Sequence, residues 1–138
     1  LYNDYNTIEY ANENNGVIKL VKAIKAAGAP IAAVGCQAHD VGMVSVSTVK
    51  SYTEKIIAET GLPVYITEMD VGKADDGQQL STIKGVIEAL WNNEKVHGWT
   101  YWGYVQGATW RSNTHLLTSS GSKRQALTWL MSFLKRGS

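Results

Sequence analysis

Pro63-Val64-Tyr65-Ile66-Thr67-Glu68-Met69-Asp70 is a short apolar run that ends in two acids separated by one residue. Its first residues favour strands, and Pro63 stands where a strand can begin without donating a ladder hydrogen bond. Side chains alternate along a strand, so Glu68 and Asp70 are expected to leave from the same face. An apolar strand of this kind suits a parallel sheet buried on both sides. Acids at its C-terminal end cost several kcal/mol to bury without partners. Either partners surround them, or they sit at a cleft and do chemistry.

The same form recurs on both sides of this stretch. Upstream, Pro30 leads into the short apolar strand Ile31-Ala32-Ala33-Val34-Gly35, which runs into Cys36-Gln37-Ala38-His39. Gln37 and His39 are two apart and so are expected on one face. Downstream, Val96 to Trp102 reads as a strand that enters an aromatic and polar loop ending at Trp110-Arg111. At the start, Leu1-Tyr2 reads as the end of a strand whose beginning is absent, followed by Asn3-Asp4-Tyr5-Asn6.

Helical spacing fills the intervals. Asn14-Asn15-Gly16 reads as punctuation before a helix with Val17, Leu20, Val21 and Ile24 inward and Gly28 as its stop. A second helix, from about Ser47 to Thr60, turns Val49, Tyr52, Ile56 and Ile57 inward and stops at Gly61. A third follows the polar loop Lys73-Ala74-Asp75-Asp76-Gly77 and carries Leu80, Ile83, Val86, Ile87, Leu90 and Trp91. The last, from about Arg124 to Lys135, inserts Leu127, Leu130, Met131 and Leu134.

Alternating strands and helices mean a parallel α/β fold. An eight-fold barrel of ~250 residues spends about 31 on each βα unit, the spacing found here. A doubly wound nucleotide fold should carry a Gly-rich turn after its first strand, and the sequence holds neither G-x-G-x-x-G nor a P-loop. The expected fold is therefore a (β/α)8 TIM barrel, with residues 1–138 supplying half of it. Half a barrel leaves two open sheet edges and an uncovered core. A second half is expected upstream on the same gene, as the necessary partner of this chain. At the other end, Gly137-Ser138 is compatible with a cloning scar.

Composition narrows the partners further. Charge is balanced at net +1 with no basic block, which disfavours nucleic acid and anionic membrane. No apolar run approaches the roughly 20 residues of a membrane span. The single Cys36 excludes an intrachain disulfide and a Cys-based metal site; it reads as a small buried filler. Five Trp and seven Tyr against one Phe favour a surface with an apolar face and a wet edge, such as a sugar site or an interface. Trp91, Trp99 and Trp129 fall in core-like patterns, and His97 and His115 read as structural or solvent-exposed.

Every strand delivers polar residues at its C-terminal end: Asn3 to Asn6, then Gln37 and His39, then Glu68 and Asp70, then Trp102. Barrel active sites are built on that face. Carboxylates, a histidine, amides and indoles without a phosphate cradle suit a neutral, hydroxyl-rich substrate, and glycoside hydrolysis is the leading instance.

Four blocks, Asn3-Asp4-Tyr5-Asn6, Gly35-x-Gln37-x-His39, Ile66-Thr67-Glu68-Met69-Asp70 and Trp102-Gly103-(x6)-Trp110-Arg111, together resemble the second half of glycoside hydrolase family 10. The resemblance runs in that family's order from its fifth strand to its eighth helix. It implies a retaining endo-β-1,4-xylanase that acts on xylan or xylo-oligosaccharides without a cofactor or metal. By the same resemblance Glu68 is the nucleophile, His39 hydrogen-bonds it, and Asp70 holds the histidine. Tyr5, Asn6, Gln37, Trp102, Trp110 and Arg111 correspond to substrate contacts. The family's general acid is a Glu after the fourth strand, so it would lie upstream of Leu1, because Glu9 and Glu13 are too far along to replace it. A retaining pair needs carboxyl groups about 5–5.5 Å apart, which only the assembled barrel can provide. Secretion is expected from a polymeric substrate and family habit. Departures from the family pattern fall in Tyr104 to Thr109, Thr114 to Thr118 and Lys123 to Ala126, away from the bond-breaking residues. Three other readings compete: a retaining barrel glycosidase acting on β-glucan, a non-catalytic xylan-binding homologue, and an aromatic protein interface.

Overall fold

A computed structural model describes residues 1–135, so Gly137-Ser138 lies outside the described residues. Four strands and four helices alternate: β1 (Tyr2–Asp4), α1 (Ala11–Ala26), β2 (Val34–Cys36), α2 (Val46–Thr60), β3 (Val64–Met69), α3 (Asp76–Leu90), β4 (Val96–Tyr101) and α4 (Gln125–Lys135). The strands form one sheet in the order β1-β2-β3-β4, with each neighbouring pair parallel. This is the arrangement of four consecutive βα units of a (β/α)8 barrel. Both outer strands, β1 and β4, have an unpaired edge within the described sheet.

The core lies between the sheet and its helices. Val34, Cys36, Val64 and Ile66 from the strands meet Val17, Val21, Val49, Ile56, Ile83, Val86 and Leu90 from α1, α2 and α3. Cys36 fills a buried place in this layer, and burial pushes its thiol up to about 12. Ile56 and Ile83 are fully buried, and truncating either to Ala would remove about 2–5 kcal/mol. The opposite face of the sheet carries Asn3, Tyr65 and Thr67 and is open, with Tyr65 37% exposed. The expectation that β3 is buried on both sides is therefore corrected: its helix-facing side is covered and its barrel-facing side is not.

Two helices start and stop where local chemistry dictates. Ser45 Oγ accepts the Thr48 N–H to cap α2, and Asp75 Oδ1 accepts the Gln78 N–H to cap α3. Gly61 ends α2 at φ 69, the left-handed conformation that glycine adopts without a Cβ penalty.

The start of α1 differs from expectation. The helix begins at Ala11, so Asn14-Asn15-Gly16 lies inside it. Asn14 is buried there because its Nδ2 donates to the carbonyls of Thr7 (2.8 Å) and Tyr52 (3.0 Å), tying the helix to its surroundings. With that phase, Ile18 turns inward and Leu20 is exposed. The second strand is also displaced, beginning at Val34 rather than Ile31, in register with Tyr2 and Val64.

The last helix is less buried than its periodicity suggests. Of the residues in α4 only Ala126 is fully buried, whereas Leu127 and Leu130 are half-buried and Met131 and Leu134 are exposed. Its helical neighbour is α3, which leaves its other flank uncovered. Trp91 is likewise half-exposed rather than core, lying edge-on to Phe133 at 4.8 Å. Trp129 stacks on the same ring at 4.9 Å.

Candidate active site

The C-terminal ends of the strands bring Asn3, His39, Glu68 and Asp70 together. His39 stands between the two acids. Its Nε2 is 3.0 Å from Glu68 Oε2 and its Nδ1 is 3.2 Å from Asp70 Oδ1, the latter an ion-pair distance without hydrogen-bond alignment. Simple alternation along β3 does not produce this meeting. The β3–β4 register shifts between Ile66 and Met69, and such an irregularity re-aims side chains next to a site. Ala38, at φ 66, similarly breaks the expected alternation between Gln37 and His39.

The other oxygen of Glu68 is held by a residue from the far strand. Asn3 Nδ2 donates to Glu68 Oε1 at 3.3 Å, while Asn3 Oδ1 accepts the Thr67 hydroxyl at 2.7 Å. To reach β3, Asn3 passes over β2 at Gly35, where a Cβ would stand only 2.5 Å from Asn3 Oδ1. Glycine is thus required at position 35 by the close approach of the Asn3 side chain.

Asp70 is fully buried, and burial raises its carboxyl above the ordinary range. Its Oδ2 accepts the Trp110 indole N–H at 2.6 Å, which together with His39 pulls in the opposite direction. The Trp110 ring also meets the His39 ring edge-on at 4.7 Å, yet the residue is 56% exposed and leaves surface for a ligand. Trp102 is exposed as well, with its backbone N–H bound to the Met69 carbonyl.

The remaining candidates are placed differently. Tyr5 is exposed on the loop after β1, and Asn6 takes a left-handed turn at φ 60. Gln37 is bound through its backbone to Asp4 and Glu68, between the neighbouring strands, and its side chain is half-buried. Arg111 is engaged with protein groups: its Nη1 donates to Asp40 Oδ1 at 2.7 Å and to the His39 carbonyl at 3.0 Å, and its guanidinium covers the Trp110 ring. A cavity of about 390 Å³ opens beside the His39 and Asp70 pair, with Met43, Lys73 and Arg111 among its lining residues.

Two residues that the sequence reading did not single out organise the loop carrying Trp110. Gln79 Nε2 lies within hydrogen-bond reach of the carbonyls of Val71, Asn113 and His115. Arg124 reaches Asn113, His115, Lys73 and Ala74 carbonyls and the Asp76 carboxylate. A helical Gln and an Arg at a helix start carry no local signal of this use, because all their acceptors come from other segments.

Over residues 1–133 the sequence matches the family description "Glycosyl hydrolase family 10". The chain belongs to glycosyl hydrolase family 10.

Curated relatives include endo-1,4-beta-xylanase B of Cellvibrio japonicus, 38% identical over 131 residues, covering 95% of this chain and 21% of that protein. Endo-1,4-beta-xylanase B of Thermotoga neapolitana is 31% identical over 118 residues, covering 80% of this chain and 34% of that protein. The chain therefore spans about a fifth to a third of these relatives. Among solved structures, xylanase 10B of Thermotoga petrophila, in complex with xylobiose, superposes with TM-score 0.84 at 24% identity, covering 99% of this chain and 46% of that one. At this identity the superposition bears on the fold, and it places all four βα units within a family 10 barrel.

Proposed function

We propose that this chain forms the nucleophile-bearing half of a retaining endo-β-1,4-xylanase. The observation that carries the reading is the grip on Glu68: one oxygen faces His39 at 3.0 Å and the other faces Asn3 at 3.3 Å. A carboxylate held from both sides is pre-oriented for attack, and orientation is among the largest contributions to catalysis. The exposed indoles of Trp102 and Trp110 offer apolar faces on which a pyranose ring can lie.

In this reading a Glu68 oxygen attacks the anomeric carbon while an acid on the upstream half of the barrel protonates the departing glycosidic oxygen. The C–O bond to the leaving group breaks as the ester to Glu68 forms. The upstream residue, now a base, takes a proton from water; the resulting attack on the anomeric carbon frees Glu68 with configuration retained. Glu9 is an unsuitable acid within this chain, since both of its oxygens already accept backbone N–H groups. His39 holds Glu68 throughout, and Asp70 faces the histidine's second nitrogen. The names of the curated relatives support xylan as substrate. A polymeric substrate favours action outside the cell, so secretion goes with the proposal.

Product stereochemistry tests the mechanism. Proton NMR of the first-formed sugars from the complete barrel should show the β-anomer before mutarotation; initial α-anomer would contradict a Glu68 nucleophile.

A further inference from the structure

The peptide unit that follows His39 is held at both of its polar ends. Its N–H, that of Asp40, donates to Glu9 Oε1 at 3.2 Å. Its carbonyl, that of His39, accepts Arg111 Nη1 at 3.0 Å. Glu9 comes from the loop after β1 and is buried, and its second oxygen accepts the Ile8 N–H at 3.0 Å. Arg111 comes from the loop after β4. The Asp40 side chain adds two further ties, accepting Arg111 at 2.7 Å and the Tyr10 hydroxyl at 3.1 Å.

On the other side of His39, Ala38 sits at φ 66, a conformation costly for a residue with a Cβ. Such a residue persists only when its surroundings over-determine it. The clamped peptide supplies that constraint. With Ala38 turned and the next peptide fixed, the imidazole projects between Glu68 and Asp70.

We propose that Glu9 is a positioning residue for the nucleophile: by clamping the His39–Asp40 peptide opposite Arg111, it sets the imidazole that holds Glu68. The role rests on the reading of Glu68 as the reacting carboxylate. A carboxylate suits this place because each of the two N–H donors, from separate segments, has its own acceptor oxygen. Glutamine offers one acceptor and turns an NH₂ toward the other donor. Aspartate is shorter by one methylene.

The test is a double-mutant cycle in the complete barrel that contains this chain, using Glu9→Gln, His39→Ala and both together. Glu9→Gln alone should lower kcat about tenfold or more with KM little changed, as misplacement of a catalytic contact does. In the His39→Ala background the same substitution should change kcat by less than about twofold, because the group it positions is gone. The ring ¹⁵N resonances of His39, identified by their loss in His39→Ala, should move in Glu9→Gln. Equal losses of kcat in both backgrounds, or unmoved ring resonances, would overturn the proposal. If Glu9→Gln does not melt cooperatively, Arg111→Met releases the carbonyl end instead, and the same cycle with His39→Ala decides by coupling or additivity. A wild-type barrel that forms no glycosyl-enzyme would count against Glu68 as nucleophile, and the ring resonances would then decide the clamp alone.

Discussion

Trp110 donates its indole N–H to Asp70 at 2.6 Å, so an exposed aromatic ring is also the hydrogen-bond partner of a fully buried carboxylate. In the proposed site, the ligand wall and the support of the His39–Asp70 pair are therefore one residue. Trp110→Phe keeps an aromatic face but leaves the Asp70 oxygen without this donor. Loss of a hydrogen bond to a buried charged group costs about 1.5–3 kcal/mol, and denaturant unfolding of the variant should show a loss of that order. An unchanged midpoint would mean that water replaces the indole.

The crossing of Asn3 over Gly35 makes a second prediction. Gly35→Ala places a Cβ against Asn3 Oδ1 and should displace Asn3 from Thr67 and Glu68. Overpacking of this kind costs about 1–3 kcal/mol. Because the obstructing atoms belong to the Asn3 side chain, Asn3→Ala should relieve most of the strain. Thermal melts of the two single variants and the double variant check this; a double variant as unstable as the sum would place the collision elsewhere.

Burial raises the Glu9 carboxyl above its ordinary value, although backbone N–H donors pull it down. The folded state therefore binds this proton more tightly than the unfolded chain. The associated stability is fully present below the unfolded pKa and is lost as pH rises through the higher folded value. The stability of the wild type minus that of Glu9→Gln should accordingly fall as pH climbs from below to above the carboxylate range. Urea unfolding at a series of pH values measures this difference, and a difference that grows with pH would contradict the sign.

Arg124 is buried and donates to four backbone carbonyls as well as to Asp76. Arg124→Met removes this donor from the Lys73 and Ala74 carbonyls and leaves those of Asn113 and His115 to Gln79 alone, which should cost roughly 2–4 kcal/mol. Hydrogen exchange should show the Asn113 to His115 segment opening first. Uniform loss of protection across the sheet would assign Arg124 a global rather than a local role.

Much of the fold was legible because strand and helix periods are local. The four strands, the stops at Gly28 and Gly61 and the inward faces of α2 and α3 follow from spacing and turn chemistry. The start of α1 was not legible: Tyr10 stands at its N-cap without a side-chain cap, and Asn14 looks like a breaker until its partners on Thr7 and Tyr52 are known. The outward position of Met131 and Leu134 was hidden because periodicity gives a helix an apolar stripe but not the neighbour that covers it. At the site, the two acids and the histidine were visible as residue types at strand ends. Their meeting depends on a register shift in β3 and a left-handed Ala38, which no local pattern announces. Glu9, two loops away from the residue it grips, carries no local signal at all.

The measurement that bears most directly on the central claim is an intact mass spectrum of the complete barrel after incubation with a 2-fluoro xylobioside, followed by peptide mapping. Nucleophilic attack by this chain predicts one xylobiosyl adduct, localised to the peptide carrying Glu68 and absent from Glu68→Gln. An adduct on any other carboxylate, or turnover of xylan by Glu68→Gln at the wild-type rate, would contradict it.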